Sequence, residues 1–211
     1  MKPVDILKKY WGHTKFQLKQ EEIIEHIIQK NDTLAILPTG GGKSICYQIP
    51  TLIQEGICLV ISPLISLMND QIRHLKSKGI KSVSINSEMN YSEIETAFNN
   101  CIYGKIKFLY LSPEILKNNL IQEYVQKMNV QLIAVDEAHC ISEWGHDFRP
   151  SYRHIGNIRN IIPKATVLAL TATATQKVIS DIEENLLFKN NNTIGSSLAR
   201  DNISYNVYNQ E

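Results

Sequence analysis

The stretch TLAILPTGGGKS, residues 33–44, decides the fold. Its first five residues, TLAIL (33–37), are aliphatic or β-branched and predict a short buried strand. Three glycines follow, and Lys43 and Ser44 then lead into an apolar segment that predicts a helix. In such a loop, backbone N–H groups surround phosphate oxygens, Lys43 reaches the β- and γ-phosphates, and the Ser44 hydroxyl is a candidate Mg²⁺ ligand. The candidate phosphate-binding residues are Thr39, Gly40, Gly41, Gly42, Lys43 and Ser44.

The alternative interpretation of this stretch is a glycine-rich turn with a solvated lysine. The order of strand, loop, Lys–Ser pair and helix favours the phosphate site. Pro50 falls one or two turns into the helix, where we expect it to kink or end the helix.

Further apolar runs recur along the chain and predict an α/β fold. They are ICLVIS (57–62), SVSI (82–85), KFLYLS (107–112), QLIAVD (131–136) and TVLALT (166–171). Uniformly apolar strands suit a sheet that is covered on both faces. Helical patterns lie between them, as in residues 66–79, where a terminal Gly79 indicates a helix end. The alternation predicts a mostly parallel sheet flanked by helices on both faces, with ligands beyond the carboxyl ends of its strands.

Composition sets the broad class of the protein. The 211 residues are 43% hydrophobic and 20% charged, which suits one large globular domain. A net charge of +1 neither indicates nor excludes a nucleic-acid partner. The four cysteines are scattered without a CxxC pair, so neither a disulfide framework nor a zinc site is expected. With no apolar run of about 20 residues, we expect a cytoplasmic protein without a membrane span.

Asp136 and Glu137 end the QLIAVD strand, and they are the candidate catalytic carboxylates. Asp136 can hold Mg²⁺, directly or through water, and Glu137 can polarise the attacking water. An acidic pair at a strand end is otherwise a charge at a helix N-terminus. The phosphate loop upstream, His139 and the later TATAT (171–175) favour catalysis.

The segment SEWGHDFRP (142–150) follows the acidic pair and contains two aromatic residues four positions apart. Trp144 and Phe148 could form a core pair beneath a loop. Yet the residues around them are polar, and Pro150 stops any continuing helix. An exposed aromatic beside a cation suits base stacking on single-stranded nucleic acid, at roughly 1–3 kcal/mol per base. The candidate nucleic-acid and coupling residues here are Trp144, His146, Asp147, Phe148 and Arg149.

Taken together, these motifs resemble the first RecA-like lobe of RecQ-family ATP-dependent DNA helicases, in helicase superfamily 2. The resemblance covers nearly the whole chain. It rests on FQLKQEEII, LPTGGGKSICYQIP, VISPLISLMNDQ, YLSPE, VDEAHCISEWGHDFRPSY, ALTATAT and RDNISY, in that order. It implies a RecA-like P-loop NTPase fold, ATP and Mg²⁺ as ligands, and an aromatic-rich loop that senses single-stranded DNA.

The resemblance also implies roles for the remaining candidates. Gln20 of FQLKQ would hydrogen-bond the adenine edge. The family usually has an aromatic residue at the position of His13 and an arginine at that of Gln17, so a contact near the adenine or phosphates is altered here. His13 and Gln17 as plain surface residues is the alternative.

Hydroxyl groups in two further motifs are expected to contact DNA phosphates. The resemblance implies this role for Ser62, Ser66 and Ser112, which could equally act as helix caps. Thr171 and Thr173 resemble the motif that couples the nucleotide state to lobe movement.

The resemblance predicts that the chain has three regions and that it is part of a DNA-unwinding motor. Residues 1–30 would carry helices and the adenine-reading motif, residues 31–196 the ATP-binding domain, and residues 197–211 the start of a connection to a second RecA-like lobe. The implied activity is 3′–5′ unwinding of duplex DNA by a monomer that translocates on single strands, nucleoid-associated if the source is bacterial. We expect these 211 residues alone to bind nucleotide weakly and to hydrolyse it poorly. The alternatives are a nucleotide- or partner-binding fragment without motor activity, and an RNA helicase of the same superfamily.

Overall fold

A computed structural model of the protein describes residues 2–86 and 88–195. Within these residues the strands form one parallel sheet, in the order β3-β4-β2-β5-β6-β1-β7. The strands are β1 (Thr33–Ile36), β2 (Ile57–Ile61), β3 (Ser82–Ile85), β4 (Phe108–Leu111), β5 (Val130–Val135), β6 (Thr166–Thr171) and β7 (Thr193–Gly195). The predicted connection at 197–211 and its RDNISY motif lie outside the described residues.

Helices occupy most of the segments between the strands. They are α1 (Pro3–Trp11), α2 (Gln20–Ile28), α3 (Ile45–Ile53), α4 (Ile65–Ser77), α5 (Tyr91–Tyr103), α6 (Asn119–Lys127), α7 (Ile155–Ile161) and α8 (Gln176–Asn185). Short 3₁₀ turns cover Pro113–Lys117, Ala138–Ile141 and Pro150–His154. No helix in the described ranges is long and apolar enough to cross a membrane.

Successive residues of each strand pack against opposite helix layers, as expected for strands buried on both faces. In β5, Ile133 belongs to a core with α5, α6, α7 and α8, whereas its neighbour Ala134 belongs to a core with α2, α3 and α4. A smaller third core joins α1 to α2 and α3. The predicted parallel sheet, covered on both faces, is therefore confirmed.

The helix after the phosphate loop begins at Ile45, directly behind Ser44, as the motif predicts. Pro50 lies inside this helix and is buried, and the helix continues to Ile53. Our expectation that Pro50 would end the helix is therefore wrong in its stronger form, because one further turn follows. A proline there costs one intrahelical bond, and burial of the surrounding apolar residues offsets the loss.

Strand order brings the motifs to one edge of the sheet. β1 lies next to β6, and β6 lies next to β5. Because all are parallel, their carboxyl ends meet at the same edge, which is where open α/β sheets bind ligands. The phosphate loop, the TATAT segment and the acidic pair therefore lie side by side.

Candidate nucleotide and nucleic-acid site

A cleft of about 350 Å³ opens at this edge of the sheet. The phosphate loop and the acidic pair meet in it, although Ser44 and Asp136 are 92 positions apart in the sequence. The residues that line it are Gly40, Gly42, Lys43, Ser44, Tyr47, Ser62, Leu67, Met68, Gln71, Tyr110, Asp136 and Glu137. A flexible cation, a hydroxyl and two carboxylates in one cleft suit the binding of a phosphate chain with a divalent cation.

Gln20 lies buried beside the phosphate loop. Its amide nitrogen donates to the carbonyl oxygens of Gly41 (3.2 Å) and Gly42 (3.1 Å), and its amide oxygen accepts from the Gln17 N–H (2.9 Å). Gly42 has φ +69°, and a Cβ there would lie 2.4 Å from the Gln20 amide nitrogen. The backbone conformation therefore favours glycine at this position, and any larger residue would also displace the Gln20 amide from the loop carbonyls.

The other adenine-side candidates and the start of the loop are solvent-exposed. His13, Gln17 and Thr39 are all exposed, and none of them lines the cleft. The structure thus brings Gln20 to the phosphate loop but leaves the side chains of His13 and Gln17 exposed to solvent.

Asp136 is a half-buried carboxylate without a salt bridge to any described Lys or Arg. Burial, and next the charge of Glu137, raise the pKa of Asp136 from its ordinary value of 3.8 to about 6. Among the described residues no cluster of three or more His, Cys, Asp and Glu side chains could hold a metal. The donor set here, Asp136 with the Ser44 hydroxyl, fits Mg²⁺, which takes few protein ligands and completes its shell with water and phosphate oxygens.

Glu137 has a left-handed backbone conformation, with φ 47° and ψ 47°. A residue with a Cβ rarely adopts this conformation, which costs about 1–3 kcal/mol and is typical of functional sites. One contact that stabilises the turn comes from buried Tyr152, whose phenol donates to the carbonyl oxygen of Asp136 at 2.9 Å. The turn directs the chain from β5 into the 3₁₀ segment Ala138–Ile141.

His139 connects the acidic pair to the TATAT segment. Its Nδ1 lies 3.0 Å from the Thr171 hydroxyl and 3.4 Å from a carboxylate oxygen of Glu137. The Thr171 hydroxyl donates to the carbonyl oxygen of Thr173 at 3.0 Å, so it accepts from Nδ1, which places the imidazole proton there. Burial, and next the nearby His146, lower the pKa of His139 and keep it neutral.

In the segment that follows the acidic pair, Phe148 and His146 contact neighbouring side chains, whereas Trp144 is exposed to solvent. The Trp144 side chain is 72% exposed, so the alternative of a core pair with Phe148 is wrong for Trp144. Phe148 is half-buried beneath the Arg153 guanidinium, which lies 5.1 Å from the ring centroid. His146 stacks on His139, with ring centroids 4.0 Å apart.

Arg149 ties this segment to the loop after β2. Its guanidinium donates to Asp147 at 3.0 Å and to the carbonyl oxygen of Pro63 at 3.2 Å. Pro63 belongs to the SPLISLMNDQ motif that starts at Ser62. The contact therefore joins two of the motifs for which a role in DNA binding is expected.

Serine hydroxyls at the ends of β2 and β4 are buried and have no hydrogen-bond partner in the described part of the chain. These are Ser62 and Ser112. Ser112 occupies the N-cap position of a 3₁₀ turn but makes no capping bond, and α4 is preceded by Leu64 rather than by Ser66. Ser66 is exposed. Helix capping therefore does not account for these serines.

Three polar residues that line the cleft are not among the candidates expected from the sequence. Tyr47 and Tyr110 form a buried pair, with hydroxyl oxygens 3.3 Å apart, and Gln71 accepts from the Gln48 amide at 3.1 Å. Tyr47 and Gln71 fall inside the quoted motifs, which could have marked them. Tyr110 also falls inside a quoted motif, since it is the first residue of YLSPE (110–114).

Comparison with known proteins identifies the family. The DEAD/DEAH box helicase profile matches residues 17–182. The ATP-dependent DNA helicase RecQ of Bacillus subtilis is 45% identical over 96% of this chain, and the probable ATP-dependent DNA helicase RecS of the same organism is 43% identical over 96%. The chain spans only 34% and 41% of the lengths of these two relatives.

Solved structures support the fold. The DUF1998 helicase MrfA bound to DNA and AMPPNP superposes with a TM-score of 0.74 at 15% identity, over 93% of this chain and 29% of that chain. At this level of identity the similarity concerns the fold alone, which is RecA-like. Because the family profile covers well over half of the chain, the chain belongs to the DEAD/DEAH box helicase family, and the resemblance to RecQ helicases that its motifs indicate is confirmed.

Proposed function

We propose that this chain is the ATP-binding lobe of a RecQ-like 3′–5′ DNA helicase, which couples ATP hydrolysis to translocation on single-stranded DNA and to duplex unwinding. The observation that carries the proposal is that one continuous segment joins the nucleotide cleft to an exposed tryptophan. Glu137 lies in the nucleotide cleft, and seven residues later Trp144 is exposed to solvent. The relatives that are similar over nearly the whole chain are named ATP-dependent DNA helicases.

The nucleotide would bind with its phosphates against the loop of residues 38–44. Lys43 would reach the β- and γ-phosphates, and the loop amides would surround the phosphate oxygens. Ser44 and Asp136 would hold Mg²⁺, which when bound supplies positive charge to the phosphate oxygens. Gln20, already bonded to the loop carbonyls, would read the adenine edge and report its presence to the loop.

Hydrolysis would rely on Glu137 to orient and polarise the attacking water. His139 would keep Glu137 in place, because it lies between that carboxylate and the Thr171 hydroxyl. An arginine from a second lobe would be needed to stabilise the transition state, and its absence costs about 10³- to 10⁵-fold in turnover. The kinetic experiments below therefore use the chain joined to a second RecA-like lobe.

Single-stranded DNA would contact the exposed face of Trp144 by base stacking. Ser66, which is exposed, would contact its phosphates without reading sequence. Ser62 and Ser112 are buried, and their hydroxyls would reach phosphate only after the surrounding loops rearrange. Of the coupling candidates Phe148, Arg149, His146 and Asp147, His146 would link this loop to the catalytic segment through its stack on His139. Arg149, paired with Asp147, would link it to the loop after β2 through Pro63.

Replacing Trp144 with alanine tests the DNA contact. Loss of one stacked base is expected to weaken single-stranded DNA binding by about tenfold or more. DNA stimulation of ATPase should fall more than basal nucleotide binding, because Trp144 lies outside the cleft. The measurement is ATPase activity against DNA concentration, with single-stranded RNA titrated in parallel.

Tyr103→Ala is the matched control, since Tyr103 is an aromatic residue that is 84% exposed at the end of α5. Its removal should leave the DNA dependence unchanged. Equal loss of DNA stimulation and nucleotide binding in Trp144→Ala would contradict the proposed role. Stronger stimulation by RNA than by DNA would instead favour an RNA helicase.

Replacing Asp136 with asparagine tests the Mg²⁺ site through stability. A carboxyl whose pKa is raised by folding stabilises the fold below its ordinary value of 3.8, and that contribution is lost as pH rises through about 6. Without Mg²⁺, Asp136→Asn should therefore be more stable than the wild type at pH 7.5, by on the order of 1–3 kcal/mol, and nearly equal at pH 4. Urea unfolding at both pH values measures the difference.

Added MgCl₂ should raise the melting temperature of the wild type at pH 7.5 and leave that of Asp136→Asn unchanged. Ser44→Ala is the second arm, since it removes the other proposed ligand without removing a charge. A Mg²⁺ response that survives in Asp136→Asn would refute the assignment of this carboxylate.

A further inference from the structure

A buried hydroxyl lies between the tryptophan turn and helix α8. The Ser142 hydroxyl donates to a carboxylate oxygen of Asp181 at 2.6 Å and accepts from the backbone N–H of Trp144 at 3.1 Å. We call this chain of two hydrogen bonds the relay: the Trp144 N–H is the donor, the Ser142 hydroxyl accepts and donates, and the Asp181 carboxylate is the acceptor. The orientation of the Trp144 backbone is thereby tied to a residue 37 positions away in sequence.

The bridging Ser142 hydroxyl is buried, and the Asp181 carboxylate that accepts from it is half-buried. Ser142 is 1% exposed, and the Asp181 side chain is 18% exposed. The hydrogen bond from Ser142, and next that from Lys177 at 3.1 Å, lower the pKa of Asp181, which therefore stays ionised at neutral pH. A short hydrogen bond to a carboxylate in such surroundings is stronger than one between neutral groups.

A backbone hydrogen bond also closes the turn that contains Trp144. The N–H of Gly145 donates to the carbonyl oxygen of Ser142 at 3.0 Å. A Cβ at Gly145 would lie 2.3 Å from the carbonyl oxygen of His139, so only glycine fits there. The turn is thus fixed by its backbone, while the Trp144 ring stays exposed.

Helix α8 follows the TATAT segment directly, and Thr175 caps its first turn. This stretch therefore contacts the catalytic loop at two points. One is Thr171 against His139, and the other is Asp181 against Ser142. A movement of α8 relative to β6 would reach the Trp144 turn through the second contact.

We propose that Ser142 and Asp181 are positioning residues, which hold the Trp144 turn on α8 and so join the DNA-sensing loop to the segment that contacts His139. The link to DNA rests on the function proposed above. The positioning role concerns the mobility of Trp144 in the free protein and can be measured without DNA.

The chain offers a clean reporter for this test. It has two tryptophans, so Trp11→Phe leaves Trp144 as the only one. In that background, time-resolved fluorescence anisotropy of Trp144 is compared in the parent protein, in Ser142→Ala and in Asp181→Ala. Both variants are expected to show a larger amplitude of fast ring motion, and about 2- to 10-fold weaker quenching by single-stranded DNA.

Two further variants separate positioning from general damage. Asp181→Asn keeps an oxygen that accepts from Ser142 and should restore most of the parent signal. Lys177→Ala removes the other partner of Asp181 and should leave Trp144 unchanged. Thermal unfolding of every variant, followed by circular dichroism at 222 nm, establishes that each is folded at the temperature of measurement.

Folded Ser142→Ala and Asp181→Ala proteins in which Trp144 moves as in the parent would overturn the positioning role. So would a change in Lys177→Ala as large as that in Asp181→Ala. A parent protein in which Trp144 ignores single-stranded DNA would count against the proposed function, whereas the mobility comparison without DNA decides positioning by itself.

Discussion

Replacing Asp32 with alanine is expected to lower the free energy of unfolding by about 3–5 kcal/mol, because it leaves the Arg159 guanidinium buried without its counter-charge. The two side chains are 1% and 4% exposed, and the shortest distance between the guanidinium and the carboxylate is 2.9 Å. A buried charge that loses its partner has no water to replace it. A loss of this size is a large part of the stability of a typical domain.

Asp32 also accepts two backbone hydrogen bonds that join separate parts of the fold. The N–H of Val167 in β6 and the N–H of Lys189 after α8 both donate to its carboxylate at 2.8 Å. Asp32 directly precedes β1, the strand that leads into the phosphate loop. The same substitution should therefore loosen the base of the nucleotide site as well as α7.

The matched control is Asp70→Ala, which removes an aspartate from an exposed ion pair with Arg73. Exposed pairs contribute about 0–1 kcal/mol, so this change should be nearly neutral. Urea unfolding of both variants and the wild type, monitored by far-ultraviolet circular dichroism, measures the two effects under the same conditions. Comparable losses in the two variants would disprove the importance of the buried pair.

Much of the fold could be predicted from local patterns. Each of the six apolar runs is a strand in the structure, because continuous aliphatic and β-branched residues suit a sheet covered on both faces. The phosphate loop was also predictable, since its glycines, Lys43 and Ser44 are consecutive. Parallel strands then imply one common edge for the ligand-binding motifs.

Contacts between distant residues could not be predicted in this way. Asp32 and Arg159 are 127 positions apart, and each on its own reads as an ordinary surface charge. Ser142 and Asp181 are 39 positions apart and carry no motif that pairs them. Charge and hydroxyl groups show no periodicity that would reveal burial, so only the packed structure identifies these partners.

The position of Gln20 illustrates a second limit. The resemblance implies that its amide reads adenine, and the structure places that amide on the carbonyls of Gly41 and Gly42. The motif indicates the residue but not the protein groups it contacts. Those groups depend on the packing of α2 against α3, which the apolar pattern of either helix alone leaves undetermined.

The conformation of the turn at Asp136 and Glu137 could not be predicted from the sequence either. Glu137 adopts a left-handed backbone, although glutamate has no preference for it. The phenol of Tyr152 and the hydrogen bond from the Glu137 N–H to the Asp136 carboxylate, at 3.1 Å, stabilise the turn. This arrangement turns the Glu137 side chain towards the cleft and close to His139.

Replacing Glu137 with glutamine should separate hydrolysis from binding. The amide keeps nearly the same size and can still accept from His139, but it cannot take a proton from water. In the chain joined to a second RecA-like lobe, DNA-stimulated turnover is expected to fall by about 10²- to 10⁴-fold. Nucleotide affinity should stay close to that of the wild type, because Lys43 and the loop amides, rather than Glu137, would contact the phosphates.

Glu143→Gln is the control that makes this result specific. Glu143 lies six residues further along the same segment, exposed and paired on the surface with Arg153 at 2.7 Å. Glu143→Gln removes the same charge from the same segment as Glu137→Gln. A general electrostatic effect on DNA or nucleotide binding would therefore appear in both variants. Steady-state ATPase assays give turnover, and fluorescence titration with a labelled ATP analogue gives affinity. If Glu137→Gln retains turnover within tenfold of the wild type, or loses nucleotide affinity in proportion to turnover, the water-polarising role of Glu137 is wrong. A large loss of turnover with unchanged affinity, absent from Glu143→Gln, would locate the chemical step at the strained turn that ends β5.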